Sequence, residues 1–143
     1  MTQEQGCIFC KIALKKIPTH IIIENDQAMA FLDAFPLSKG HTLVIPKTHY
    51  SKIQELDENS SQSLFTVLWK ITNPIEKAMS VNSSTIAIHN GKEAGQEIPH
   101  VHIHVIPRES GDGAGPVHSM FKNKPNVTNL DMSSIVEDIK RNL

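Results

Sequence analysis

The sequence has almost no excess charge and no long apolar run, and each scarcity excludes a class of protein. Its 14 basic and 15 acidic side chains leave a formal net charge of -1, so nothing attracts it generally to a nucleic acid polymer or an anionic membrane. The longest apolar run, residues 41–46, is far shorter than the roughly 20 residues that span a bilayer. We therefore expect neither nucleic acid polymers nor membranes as partners.

Cysteine is equally scarce, since Cys7 and Cys10 are the only two. That is poor usage for a disulfide-stapled secreted domain, and the N-terminal residues lack the apolar segment of a secretory signal. Both features predict a reducing, cytoplasmic location. The length of 143 residues suits one compact body, so we expect a single domain over 1–143.

Hydrophobic periodicity and turn residues predict an α+β fold. About five short strands occur without repeated β-α-β alternation, which indicates an antiparallel sheet with two or three helices. Residues 108–127 read as an irregular loop. The predicted elements are a short helix over 7–15, a hairpin over 20–33, strands over 41–46, 84–90 and 100–107, a helix over 58–80 that Pro74 should kink or split, and a C-terminal helix carrying Met132, Ile135, Val136 and Ile139.

The stretch "HVHIHVIPR" (100–108) sets three histidines at every second position, with only Val and Ile between them. Successive side chains of a strand point to opposite faces, so His100, His102 and His104 should share one face and the aliphatic residues should face the core. Neighbouring histidines would then lie about 6.6 Å apart, close enough to share a pocket. A row of titratable groups on one face indicates a functional site.

Two chemistries fit such a row. A neutral imidazole has a free lone pair near pH 7 and can act as a nucleophile or general base. Alternatively, a metal could bind His100, His102 and His104. The preceding segment 89–99 offers small residues and the amides of Asn90 and Gln96, which suit an anion such as phosphate.

The pattern His-φ-His-φ-His-φ-φ in "HVHIHVI", together with "AGQEIPHVHIHVIPR" and residues 30–49, resembles the histidine triad (HIT) family, in particular its HINT-type nucleotide-binding hydrolases. The resemblance runs from about Cys7 to Arg108. It implies a five-stranded antiparallel sheet and a homodimer whose two sheets form one continuous ten-stranded layer.

The resemblance also implies an activity, which is hydrolysis or transfer at the α-phosphate of purine nucleoside phosphoramidates or dinucleoside polyphosphates. His102 would attack phosphorus to give a covalent nucleotidyl-imidazole that water then cleaves, and no catalytic metal is required. The expected partner is a purine nucleotide such as AMP or GMP. The alternative is a nucleotide-binding regulatory protein with vestigial catalysis.

Further roles follow from the resemblance, position by position. His104 would act with His102, with His41 also beside the phosphate, and Asn90 and Gln96 would hold phosphate oxygens. Asp33 would bind the ribose hydroxyls, unless it serves only a turn. Simple core packing is the alternative for the four residues expected to form the base slot, which are Phe9, Ile12, Phe31 and Leu32.

Glu97 departs from the HINT-type pattern, which often has Ser at this position. A carboxylate there could relay a proton or repel an anionic leaving group. His20, His89 and His118 match no motif, and we expect them to be solvated or packed.

The "CIFC" pair resembles a structural zinc site found in some members of the family. The implied ligands are Cys7, Cys10, His49 and His100, a Cys₂His₂ set that suits tetrahedral zinc. Free thiols and a redox disulfide are the alternatives.

Overall fold

The computed structural model describes residues 4–143 and divides the chain into two compact units, one ending at Ser110 and the other spanning Gly111–Leu143. The prediction of a single domain over 1–143 stays a prediction. Within residues 4–143, no helix combines the length and the apolar character that crossing a bilayer requires.

The elements of the first unit are α1 (Ile8–Ala13), β1 (Ile21–Glu24), β2 (Ala28–Leu32), β3 (Thr42–Pro46), α2 (Glu58–Met79), β4 (Ser83–Ala87) and β5 (Ile103–Arg108), with short 3₁₀ turns at Ile53–Glu55 and Lys92–Ala94. The strands form a five-stranded antiparallel sheet in the order β1-β2-β3-β5-β4. With the helix of the second unit, this confirms the predicted fold class of one antiparallel sheet with up to three helices.

Helix α2 covers one face of the sheet. Its buried side chains recur at helical spacing, and they form one core cluster with residues of β2, β3 and β5. Asp57 caps its first turn by accepting a hydrogen bond from the Ser60 backbone N–H at 2.7 Å. Pro74 lies within the helix but does not split it, because packing on both sides of the proline outweighs one missing backbone hydrogen bond. The buried face comprises Leu64, Val67, Leu68, Ile71 and Ile75.

The histidine segment corrects one prediction. β5 begins at Ile103, so His100 and His102 precede the strand instead of lying within it. The backbone N–H of Val101 donates to the carbonyl of Tyr50 at 2.7 Å, outside any sheet ladder. The predicted strand over 84–90 is likewise shorter and ends at Ala87. Side chains of this segment still alternate between two faces, since the aliphatic residues Val101, Ile103 and Val105 are all buried in the core cluster that contains α2.

Opposite α2, a second core cluster brings α1 against β2 and β3. It contains both cysteines and the side chains of Phe9, Ile12 and Phe31. Gly40, in the turn before β3, has a φ of +86°, and a Cβ there would lie 2.6 Å from Cγ of Met79. Glycine is therefore required at this turn both by backbone conformation and by space.

The second unit carries a 3₁₀ turn at Val117–Met120 and helix α3 (Asn129–Lys140). Thr128 and Asp131 form a reciprocal capping box at the start of α3, with hydrogen bonds of 3.1 and 2.9 Å. The predicted C-terminal helix is thus confirmed.

Candidate functional site

A cavity of about 470 Å³ opens in the first unit, beside α1 and the ends of β2 and β3. This volume is in the range of small-molecule sites. Much of the predicted site lies here, because the cavity is lined by Phe9, Ile12, Phe31, Leu32, Asp33, His41, Glu97, His102 and His104.

His102 is fixed in one tautomer by the backbone. Its Nδ1 lies 2.7 Å from the carbonyl oxygen of His100, so Nδ1 carries the proton and donates it. The Nε2 lone pair is then free. Burial lowers the pKa of His102 and outweighs the opposing effect of the carbonyl contact. The arrangement yields a neutral imidazole with an available nitrogen nucleophile.

His104 receives the opposite tautomer through a chain of hydrogen bonds. The backbone N–H of Leu37 donates to Nδ1 of His41 at 3.0 Å. Nε2 of His41 must therefore carry a proton, which it donates to Nδ1 of His104 at 2.9 Å. Nε2 of His104 is left as an N–H donor. The ring centroids of His104 and His102 lie 5.0 Å apart, so the N–H donor ring and the ring with the free lone pair are adjacent.

Burial also keeps this donor pair uncharged. It is the main cause that lowers the pKa of His41, and it is the largest cause that lowers the pKa of His104 to about 4, followed by the neighbouring imidazoles. Asp33 opposes both shifts, with Oδ2 3.6 Å from Nε2 of His41.

Asp33 serves its turn as well as the cavity. Its Oδ1 accepts a hydrogen bond from the backbone N–H of Phe35 at 2.9 Å. The carboxylate still lines the cavity, so the turn and the predicted ribose contact are compatible. Binding of ribose stays a prediction.

The four residues predicted to hold the base form one wall of the cavity. Phe9, Ile12 and Phe31 are buried, and Leu32 is 39% exposed. Phe9 packs edge-on against Phe31 at 5.9 Å and against the His102 ring at 5.1 Å. Phe9 and Phe31 thus pack in the core and also line the cavity.

Asn90 and Gln96, predicted to hold phosphate oxygens, are placed elsewhere. Neither lines the cavity as described for residues 4–143. Oδ1 of Asn90 accepts the backbone N–H of Ile53 at 2.8 Å, and Gln96 accepts the N–H of Gly91 while donating to the carbonyl of Ser51, each at 2.8 Å. Both amides brace the loop, and nucleotide binding by them stays a prediction.

His89 is a cavity residue that sequence reasoning missed. It lines the cavity with its ring centroid 5.6 Å from that of His104. The expectation of a merely solvated or packed ring overlooked its location just past β4, the strand that pairs directly with β5. That adjacency could have been inferred only from a predicted order of strands in the sheet, because no local sequence pattern indicates that β4 pairs with β5.

Cys7, Cys10, His49 and His100 converge, with candidate ligand atoms all within 4.8 Å of one another. Nδ1 of His100 lies 3.4 Å from Sγ of Cys7, and Nδ1 of His49 lies 3.3 Å from Sγ of Cys10. On the far side of each ring, Nε2 of His100 donates to the carbonyl of Pro46 and Nε2 of His49 contacts Glu4, both at 2.8 Å.

These contacts fit a zinc site. Each Nε2–H is held by an oxygen, which leaves each Nδ1 lone pair facing the sulfurs. Burial lowers the pKa of His100 to about 4 and raises the pKa of Cys10 to about 11, so the His100 ring and the Cys10 thiol are both neutral when no metal is bound. A cation would stabilise the thiolates. Since His100 is engaged here, a metal shared by His100, His102 and His104 is disfavoured.

The tautomers assigned above are directly measurable. At pH 7 we expect His102 to be the Nδ1–H form and His104 the Nε2–H form, because of their fixed hydrogen-bond partners. His104 should stay neutral at pH 5.5, since its pKa is lowered to about 4. Long-range ¹H–¹⁵N correlation spectra, assigned with His104→Asn, would show this. A protonated His104 at pH 5.5 would contradict it.

Comparison with known proteins identifies the fold family. The HIT domain family model matches residues 14–111. An adenosine 5'-monophosphoramidase from Schizosaccharomyces pombe is 41% identical over 113 residues, covering 77% of this chain and 82% of that protein. An adenylylsulfatase from Arabidopsis thaliana is 34% identical over 142 residues, covering 99% of this chain and 72% of that protein.

Solved structures agree. A HIT family member from Bacillus subtilis superposes with a TM-score of 0.86 at 35% identity, covering 97% of this chain and 98% of the other. A zinc-bound histidine triad protein from Mycobacterium smegmatis has a TM-score of 0.71 at 32% identity, covering 85% and 84%. The chain therefore belongs to the histidine triad family.

Proposed function

We propose that this protein hydrolyses or transfers nucleotides at the α-phosphate, acting on purine nucleoside phosphoramidates or dinucleoside polyphosphates. The observation that carries the proposal is the hydrogen bond from His102 Nδ1 to the His100 carbonyl oxygen. It leaves the Nε2 lone pair available in a cavity of nucleotide size.

In the first step, Nε2 of His102 attacks the α-phosphorus and the bond to the leaving group breaks. The product is a covalent nucleotidyl-imidazole. In the second step, water attacks the same phosphorus and His102 departs. One difficult displacement becomes two easier ones, because imidazole is both a good nucleophile and, once substituted, a good leaving group.

His104 stabilises the charge that develops on the phosphoryl oxygens. Its Nε2–H is set by the chain from Leu37 through His41, so the donor is already oriented before the reaction begins. A preorganised donor in a buried site contributes more than one that must reorient.

The nucleoside would lie along the apolar wall of Phe9, Ile12, Phe31 and Leu32, with Asp33 at the ribose hydroxyls. AMP or GMP is the expected product. The yeast relative is named for an adenosine 5'-monophosphoramidate substrate and the plant relative for an adenylyl sulfate. These names share the adenylyl part and differ in the leaving group, which supports the assignment of the slot to the nucleoside.

Replacing the nucleophile tests the proposal. We expect His102→Asn to lower kcat/KM for an adenosine phosphoramidate by at least about a thousandfold, because no lone pair then faces phosphorus. AMP affinity should change by less than about threefold, measured by calorimetry.

His20→Asn is the matched control, because His20 is exposed and lies outside the cavity lining. Retained turnover in His102→Asn would reject the mechanism. Binding of AMP with no turnover by the wild-type protein would favour the alternative, a nucleotide-binding regulatory protein.

We further propose a structural zinc ion held by Cys7, Cys10, His49 and His100. The support is the convergence of these four side chains, with Nδ1 of each histidine facing a cysteine sulfur. When bound, zinc would supply charge for the two thiolates and a cross-link from α1 to the segment before β5. A zinc-bound histidine triad protein is among the similar structures.

Metal analysis of protein purified without chelator should give one zinc per chain. Cys10→Ser should lose the metal and about 10 °C in Tm, because metal-binding free energy contributes to folding free energy. His20→Asn should keep both. Wild-type protein lacking about one zinc per chain would refute the site.

A homodimer is also proposed, with the two sheets continuous across β4. The outer edge of β4 is unpaired in the described chain. Exposed apolar side chains lie on β4 and the neighbouring helix, namely Ile86 at 47%, Phe65 at 43% and Trp69 at 77%. An unpaired edge with apolar neighbours favours strand pairing with another copy.

Light scattering should give a mass near twice 15.9 kDa for the wild type, and near 15.9 kDa for Trp69→Lys combined with Ile86→Lys. Ile22→Lys, on the opposite edge strand, should remain dimeric. A monomeric wild-type protein, or dissociation by Ile22→Lys alone, would overturn this arrangement.

A further inference from the structure

We propose that His89 is a further catalytic residue, which protonates the departing atom of the leaving group and then accepts a proton from the attacking water. This inference rests on the proposed function, since it assigns a proton carrier to that reaction. No motif in the sequence assigns His89 a role.

The sheet order places His89 on the leaving-group side of the nucleophile. The apolar slot is built by α1 and β2, whereas His89 follows β4 at the other end of the sheet. His104, on β5, lies between them and contacts His89 at 5.6 Å. A nucleoside in the slot with phosphorus at His102 directs the remaining substituent toward the β4 side of the cavity.

The other imidazoles of the cavity are committed to fixed hydrogen bonds. His102 holds its proton on Nδ1 against the His100 carbonyl, and His41 and His104 are locked in sequence by the Leu37 N–H. Protonating Nδ1 of His41 or Nδ1 of His104 would break one of these bonds, and Nε2 of His102 is the atom that bonds to phosphorus. None of the three is free to shuttle protons during the reaction.

His89 differs in that respect. Its ring is half-buried and lines the cavity. Among the described residues 4–143 it makes no side-chain hydrogen bond, and its one ring contact is with His104. It can therefore change its protonation state without losing a partner. The other ionisable groups that line the same cavity are Asp33, His41, Glu97, His102 and His104.

The backbone that carries His89 is nonetheless fixed. The adjacent Asn90 bonds to the backbone of Ile53 and to Gln54, at 2.8 and 3.0 Å. Gln96 ties the far end of the loop to Ser51 and Ile98. Asn90 and Gln96, the predicted phosphate ligands, thus fix the loop that follows His89. The imidazole can therefore exchange a proton while its backbone stays in place.

The proton balance is complete. In the first step, His102 Nε2 bonds to phosphorus, the phosphorus–nitrogen bond breaks, and the proton of cationic His89 moves to the departing nitrogen. In the second step, water oxygen bonds to phosphorus and the bond to Nε2 breaks. A water proton moves to neutral His89, which restores the starting cation.

Glu97 is the competing proton carrier, because it lines the same cavity and is exposed. The two candidates are separable by substitution, since Gln and Asn keep hydrogen bonding but remove proton transfer. A general acid contributes about 100- to 10,000-fold when the leaving group is poor. It contributes little when the leaving group is stable as an anion.

The experiment compares two substrates of wild type, His89→Asn, Glu97→Gln and the His20→Asn control. One is an adenosine 5'-phosphoramidate of an alkylamine, whose departing nitrogen needs a proton. The other is the 4-nitrophenyl ester of AMP, whose phenolate does not. We expect His89→Asn to lower kcat/KM at least about 100-fold for the amidate and less than about threefold for the ester.

Equal losses on both substrates in His89→Asn would assign the residue to binding or structure and overturn the inference. So would a substrate-selective loss in Glu97→Gln with none in His89→Asn. Wild-type protein that cleaves neither substrate would instead overturn the proposed function, and this inference with it. The two failures are therefore distinguishable.

Discussion

The hydrogen bond between His102 and the backbone carbonyl of His100 is the interaction on which the site depends. It decides which nitrogen of His102 has a free lone pair. The carbonyl is itself held, because the His100 side chain lies between the thiols of Cys7 and Cys10 on one side and the Pro46 carbonyl of β3 on the other. Phe9 of α1 contacts both histidine rings. The cysteine–histidine cluster and the His102 ring are thus joined by one short segment, and a metal in the cluster would help to fix the position of His102.

Burial is the second organising influence. Three cavity histidines have lowered pKa values chiefly because they are removed from water. Neutral imidazoles can divide the roles of nucleophile and donor according to tautomer alone, and the backbone N–H of Leu37 and the His100 carbonyl set those tautomers from opposite sides. His89, half-buried on the same cavity, makes no side-chain hydrogen bond among the described residues. The cavity therefore combines imidazoles held in fixed hydrogen bonds with one that has no such partner.

Much of the fold was predictable because its signals are local. The hairpin over 20–33 and the helix over 58–80 follow from turn residues and apolar spacing, and both are confirmed. The strand over 100–107 was predicted three residues too early, since alternation of burial continues through an irregular segment whose backbone bonds to Tyr50. Pro74 was expected to kink or split α2, and it does not split it, because the packed face on either side maintains the helix. Both the Tyr50 hydrogen bond and the packing around Pro74 are tertiary contacts, which a local sequence pattern does not indicate.

By itself, the sequence determined the residue types: an alternating histidine row, a pair of cysteines and an apolar run on each strand. The resemblance to the histidine triad family added which of these residues belong to the nucleotide site and which to the zinc site. Tertiary structure alone decided the rest. It turned Nδ1 of His100 toward sulfur and Nδ1 of His102 toward a carbonyl, engaged Asn90 and Gln96 in bracing a loop, and brought His89 into the cavity. The physical reason is that a side chain's hydrogen-bond partner depends on strands distant in sequence, and no spacing along the chain encodes that choice.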